Sequence, residues 1–246
     1  MKISYLNQRI LITGSTRGIG KSLSELFLQS GADVILTGTN NDEVNELNEN
    51  NDNPNKRYLQ LDFNSEPSIE TFLDKIGNIG KIDVLINNAG INKDALSIRM
   101  TKEQWDEVIN INLTAAFKLS QLAIKSMLKQ KWGRIIGISS IIGIGGNIGQ
   151  SNYASSKAGM IALHKSLALE FATRGITINC IAPGFIESPM TEALTDEQKE
   201  IMLKKIPVGK VGKPDDIANC VEFLTGENAS FITGSTVNIN GGMLMV

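Results

Sequence analysis

Short runs of β-branched and aliphatic residues alternate with longer amphipathic segments along the whole chain. Runs at 9–13, 33–37, 57–62, 82–87, 134–140, 176–181 and 236–240 read as strands; segments at 18–30, 42–50, 67–76, 101–129, 152–173 and 214–224 read as helices. Strands apolar on both faces need cover on both sides, and the intervening helices supply it. With right-handed crossovers the pattern predicts an α/β, Rossmann-type doubly wound fold with a seven-stranded parallel sheet and helices on both faces. The chain of 246 residues shows no internal repeat, and its polar run at 48–55 reads as a surface loop. A single domain over 1–246 is expected.

One stretch breaks the rhythm. After the strand ending near Ala182 come Pro183, Gly184, Pro189 and Pro207, with a short helix predicted at 196–205. An insertion at a strand's carboxyl end in an open α/β sheet is where ligands are covered, so residues 184–212 are expected to form a substrate lid.

Charge and composition remove several classes. With 24 basic and 26 acidic residues the net charge is −2, unlike the basic surface of a nucleic-acid binder. No uncharged apolar run reaches membrane-spanning length, and the first five residues carry no leader-like apolar core. The one histidine, His164, rules out a multi-histidine metal centre, and no metal is expected. Cys180 and Cys220 lie far apart in apolar stretches and read as buried thiols, which fits a reducing, cytoplasmic setting.

The first strand runs into Gly14-Ser15-Thr16-Arg17-Gly18-Ile19-Gly20 and then a helix. Glycines there let the backbone turn tightly against a pyrophosphate held at the helix N-terminus. After the second strand, Gly38-Thr39-Asn40 offers no carboxylate for a ribose 2′-hydroxyl. That favours NADP(H), with Arg17 pairing to the 2′-phosphate and Thr39 and Asn40 donating to it. Asp62 is expected to accept from the adenine amino group while Phe63 covers the ring. Asn88, Ala89 and Gly90, small residues ending the fourth strand, permit close approach of the cofactor.

Tyr153 and Lys157 stand four apart at a helix start and so share a face. An ammonium beside a phenol favours the phenolate, so Tyr153 is expected to be an acid/base with a lowered pKa. Ser140, ending the preceding strand, can donate to the same carbonyl. Asn112 is expected to hold a relay water for Lys157, through its side chain or its local backbone. His164 lies eleven residues beyond Tyr153, about 16 Å along the helix, and reads as a packing or interface residue. Each residue alone has a bland explanation; together and in this order they describe carbonyl–hydroxyl redox chemistry.

These residues resemble the short-chain dehydrogenase/reductase family over the whole chain, through Thr13-Gly14, Gly18, Gly20, Asn87-Asn88-Ala89-Gly90, Asn112, Ser140, Tyr153, Lys157 and Pro183-Gly184. Gly90-Ile91-Asn92-Lys93-Asp94, Gly149–Tyr153, Arg174–Asn179 and residues 182–187 and 240–246 are similar, more narrowly, to its bacterial 3-oxoacyl-acyl-carrier-protein reductases. The resemblance implies reduction of a 3-oxoacyl thioester by NADPH. Ser140 and Tyr153 would hold the carbonyl oxygen, Lys157 the nicotinamide ribose, and Pro183, Gly184 and Ile186 the cofactor from beyond the sixth strand. It also implies a homotetramer paired through the helices at 101–129 and 152–173, and acyl carrier protein docking at Lys131 and Arg174. Lys129 and Arg134 are expected to join that basic cluster near one rim of the active site. Two departures stand out: Thr39 where many relatives have Arg, and Trp132 where a smaller or basic residue is expected. The competing readings are a reductase of CoA thioesters or of a small alcohol or sugar, and a nucleotide-binding scaffold without turnover. The scaffold has no need of Asn112, Ser140, Tyr153 and Lys157 together.

Overall fold

The structure is a computed structural model that describes residues 3–188 and 195–246. Its strands are β1 (Arg9–Ile12), β2 (Asp33–Gly38), β3 (Lys56–Gln60), β4 (Val84–Asn87), β5 (Gly133–Ile138), β6 (Ile176–Pro183) and β7 (Thr236–Ile239). They form one sheet in the order β3-β2-β1-β4-β5-β6-β7, with every neighbouring pair parallel. The chain runs outward from β1 to β3, returns to lay β4 beside β1, and runs outward again to β7. That reversal between β1 and β4 opens a crevice beyond the carboxyl ends of the strands.

The helices are α1 (Gly18–Gln29), α2 (Asn41–Glu49), α3 (Glu66–Ile79), α4 (Lys102–Ile109), α5 (Ala115–Gln130), α6 (Ile142–Gly145), α7 (Ser151–Phe171), α8 (Asp196–Leu203) and α9 (Pro214–Thr225). Alternate strand residues feed two cores. Ile10, Ile12, Leu36, Ile136 and Ile138 pack with Leu23 and Phe27 of α1 and Ile217 and Val221 of α9. Leu11, Ile35, Leu85, Ile135 and Ile178 pack with Phe72 and Ile76 of α3 and Leu119 and Ala123 of α5. Helix starts follow local chemistry: Ser65 caps α3, and Thr101 and Gln104 close a capping box on α4. No helix among the described residues is long and apolar enough to cross a membrane.

One expectation needs correction. The segment 101–129 is not one α-helix: a π-helical stretch, Asn110–Thr114, separates α4 from α5. The single turn of α6 is too short to leave a periodic signal. In the segment expected as a lid, Pro189 and its neighbours at 190–194 lie outside the described residues. Its stem is stitched shut, with Gly212 N donating to Phe185 O at 3.0 Å and Glu187 N to Gly212 O at 2.8 Å.

Candidate active site

The glycine turn leaves β1 and enters α1 against the end of β4. A Cβ at Gly20 would collide with the Gly14 carbonyl and come within 2.8 Å of Asn88 Nδ2, so only glycine fits. Thr13, which sequence reasoning left out of the site, organises the turn. Its Oγ1 accepts from the backbone amides of Asn88 (3.0 Å) and Ala89 (2.9 Å). Asn88 Nδ2 donates back to Thr13 O and Gly14 O. Ser15 is buried, donating to Ile12 O and accepting from Thr37 N, so its hydroxyl serves the turn.

An open cleft of about 370 Å³ gathers Gly18, Ile19, Asn88, Gly90, Ser140, Tyr153, Lys157, Pro183, Gly184 and Ile186. Those ten expected residues, from three strand ends and two helices, line one space. Of the rest, Arg17 and Thr39 are exposed beyond it. Gly38 is tightly set: a Cβ there would sit 3.0 Å from Val44 Cγ2 and 3.3 Å from Thr16 Cγ2. Asn40 Oδ1 caps α2 by accepting from Asp42 N and Glu43 N. Asp62 Oδ1 accepts from Asn64 N at 2.9 Å, a turn role that occupies one of its two oxygens. Phe63 is buried, its side chain packed in the core with α3 and α5.

Within the cleft, Lys157 is buried and donates from Nζ to Ile138 O at 2.7 Å, with Nζ 5.6 Å from the Tyr153 ring centroid. Burial lowers its pKa to about 8. Burial also raises the Tyr153 pKa, against a smaller lowering by the Ser140 hydrogen bond and a further rise from Asp94. The expected lowering by Lys157 is therefore not what this geometry gives; Tyr153 is held as a protonated phenol, and Ser140 is the group that favours its phenolate. Ser140 Oγ also accepts from Ile142 N at 3.2 Å, while its hydroxyl serves Tyr153.

Asn112 is buried, and its amide is fully engaged: Oδ1 accepts from Ile91 N (2.8 Å), and Nδ2 donates to Ile91 O (2.9 Å) and Ser156 Oγ (3.0 Å). The side chain of Asn112 is thus taken up as a brace between Ile91 and Ser156. Ser156 passes the link on by donating to Tyr153 O at 2.8 Å. Gly90 lies over this brace, where a Cβ would come within 3.2 Å of Lys157 Nζ and 3.3 Å of Asn112 Oδ1. Asn152, also missed from sequence, donates to Lys93 O and Gln104 O and accepts from Tyr153 N at 2.7 Å.

The remaining candidates lie elsewhere. His164 is buried against β5, its Nδ1 donating to Met160 O at 2.8 Å, and is a packing residue. Lys131 and Arg174 are exposed at the amino ends of β5 and β6, opposite the cleft. From Tyr153 to Arg174 the chain follows α7 for about 30 Å, so the basic cluster is not at the rim of its own protomer's site. Arg134 does not join it, because its side chain is buried.

The comparisons agree with this geometry. A family model described as enoyl-(acyl carrier protein) reductase matches residues 14–244. Three curated proteins named 3-oxoacyl-acyl-carrier-protein reductase FabG are similar over nearly their full lengths. The one from Rickettsia bellii (strain RML369-C) is 49 % identical over 245 residues, 99 % of this chain and 100 % of that protein. That of Escherichia coli (strain K12) is 45 % identical over 237 residues, 96 % and 97 %. That of Aquifex aeolicus (strain VF5) is 43 % identical over 247 residues, 99 % and 100 %. A glycine turn, a buried lysine beside a tyrosine and a serine aimed at the same space, on this sheet and with these relatives, have one explanation: the chain belongs to the short-chain dehydrogenase/reductase family.

Proposed function

We propose that this protein reduces 3-oxoacyl-acyl-carrier-protein to the 3-hydroxyacyl form, with NADPH as reductant, in the cytoplasmic synthesis of fatty acids. Family membership carries a nicotinamide cofactor, and the cleft suits one, with glycine backbone at the α1 N-terminus and a lysine reaching its floor. The cofactor supplies the hydride when bound. Ser140 and Tyr153 direct their hydroxyls at the carbonyl oxygen, where negative charge develops. Tyr153, kept protonated by burial, gives that oxygen its proton. Lys157 holds a positive charge beneath the ribose position, and the backbone around Asn112 holds the water through which a proton returns. Arg17, Thr39 and Asn40 receive the 2′-phosphate, and Asp62, through its second oxygen, the adenine amino group. The segment 184–212 closes over the acyl thioester.

The single observation that carries the reading is the convergence of Ser140, Tyr153 and Lys157 in one cleft. A ketone reductase needs a donor pair on the oxygen, and the shared cleft of Ser140 and Tyr153 supports that role for them. The relatives' names point to the thioester of acyl carrier protein. The basic pair Lys131 and Arg174 fits an acidic carrier protein, and its distance from Tyr153 is met by assembly. In a homotetramer with α5 and α7 paired antiparallel about a two-fold axis, the basic end of one protomer lies beside the cleft of its partner. Phe117 on α5 and Leu169 on α7, both exposed, suit such a face. Steady-state reduction of a 3-oxoacyl-carrier-protein and the matching CoA thioester, each with NADPH and NADH, tests the proposal. The carrier-protein substrate with NADPH should give the highest kcat/KM; preference for CoA overturns the partner, and preference for NADH overturns the cofactor.

A further inference from the structure

Arg134 is a buried cation, 2 % exposed, with no ion-paired acid among the described residues. The guanidinium is nevertheless well fixed. Its carbon lies 4.5 Å from the ring centroid of Trp132, the residue whose size was unexpected. Nη1 donates to Gly133 O at 2.9 Å and Gly175 O at 3.3 Å. Nε has no partner. On the neighbouring strand, Thr177 stands in register with Arg134, and its buried Oγ1 also has no partner. Both residues line a hollow of about 670 Å³ at the amino ends of β5 and β6, with Lys131, Glu227 and the fully exposed Phe231 around it.

Burying an unpaired charge is costly, and leaving a hydroxyl beside it unbonded adds to the cost. Each cost disappears if a guest supplies oxygen atoms. A guanidinium pinned by Nη1 and stacked on an aromatic keeps its other edge as a two-pronged donor, the geometry that suits carboxylates and phosphates. We propose that this hollow binds an oxyanion, the carboxylate or phosphate group of a small molecule, with the free edge of Arg134 as the fork and Thr177 and Lys131 as further donors. The site is independent of the cofactor cleft, because Arg134 and Ser140 are separated by the length of β5, about 20 Å. The one acid at the hollow, Glu227, is exposed and forms no ion pair, but its charge acts on Arg134 through space against the lowering by burial; it is the competitor the anion must outweigh.

Calorimetry and thermal melts of the full chain, with NADPH saturating and ionic strength fixed, test this with inorganic phosphate and with succinate as probes. Binding of either probe to the parent protein at millimolar concentration, with a rise in Tm, is expected; the tighter probe identifies the chemistry. Arg134→Met should abolish the effect while leaving the probe-free Tm unchanged or higher. Thr177→Val keeps the charge and the shape and should weaken binding several-fold. No binding to the parent overturns the proposal. So does binding that survives both substitutions, or a probe-free Tm that falls equally in Arg134→Met and Glu227→Gln, since Glu227 would then neutralise the arginine.

Discussion

Tyr153 and Lys157 share one turn of α7, yet burial acts on them in opposite senses, raising the phenol and lowering the ammonium to about 8. Tyr153→Phe keeps the ring and removes the proton. Reduction should fall roughly 10²–10⁴-fold, with cofactor binding, followed by quenching of protein fluorescence, retained. These residues were legible in the sequence because the chemistry demands their types at a helix start and a strand end. Thr13, Asn152 and Ser156 were not, since they act through backbone groups that only the fold brings near. His164 makes a different prediction. Burial holds it at about 4, below its ordinary 6.5. Between those values the unfolded chain takes up a proton that the folded one refuses, so stability falls as pH drops from 6.5 and levels off below 4. The loss is about 3 kcal/mol at most. Urea melts across that range should show a shallower pH dependence in His164→Gln; an unchanged slope would assign the acid sensitivity elsewhere.

At the scale of elements, the break between α4 and α5 is the feature the pattern hid. The apolar stripe resumes on the core side after the π segment, so residues 101–129 read as one helix. The wider turn is held by Asn112, whose amide completes the pairing of Ile91 and reaches α7 through Ser156. Asn112→Ala leaves those groups without partners, which costs about 1–3 kcal/mol per buried group. A fall in the denaturation midpoint together with a loss in kcat larger than any change in cofactor KM is expected. A loss of stability with kcat intact would reduce Asn112 to a structural brace. The strands were legible to within two residues at most ends, because burial on both faces leaves runs of Ile, Leu and Val that few other structures use. The short α6 and the stem of the segment after β6 depend on contacts far along the chain, which no local pattern records.

For the whole molecule, the parallel sheet has two unlike ends. The proposed catalytic groups, Ser140, Tyr153 and Lys157, collect at the carboxyl ends of the strands, while Lys131, Arg174 and the Arg134 hollow lie at the amino ends. If carrier protein docks on the second end, catalysis must draw on two protomers. Lys131→Glu with Arg174→Glu should raise KM for the carrier-protein substrate, more strongly at low salt, and leave the CoA thioester nearly unchanged. Mixed tetramers combining this double variant with Tyr153→Phe subunits sharpen the test. Only clefts left intact in the docking variant, served by the patch of a Tyr153→Phe neighbour, can then turn over the carrier-protein substrate normally. No activity above the separate variants would place docking and chemistry on one subunit.

The two thiols carry a consequence for life in the presence of oxidants. Cys180 lies inside β6, where burial pushes its pKa up to about 12, and the half-buried Cys220 on α9 is pushed up as well. Peroxides and alkylating reagents attack the thiolate, and burial keeps Cys180 as the thiol at neutral pH. A fold that keeps its sulfur in the protonated form needs no reductant to stay active, and its turnover should survive hydrogen peroxide or iodoacetamide at doses that silence enzymes with a low-pKa cysteine.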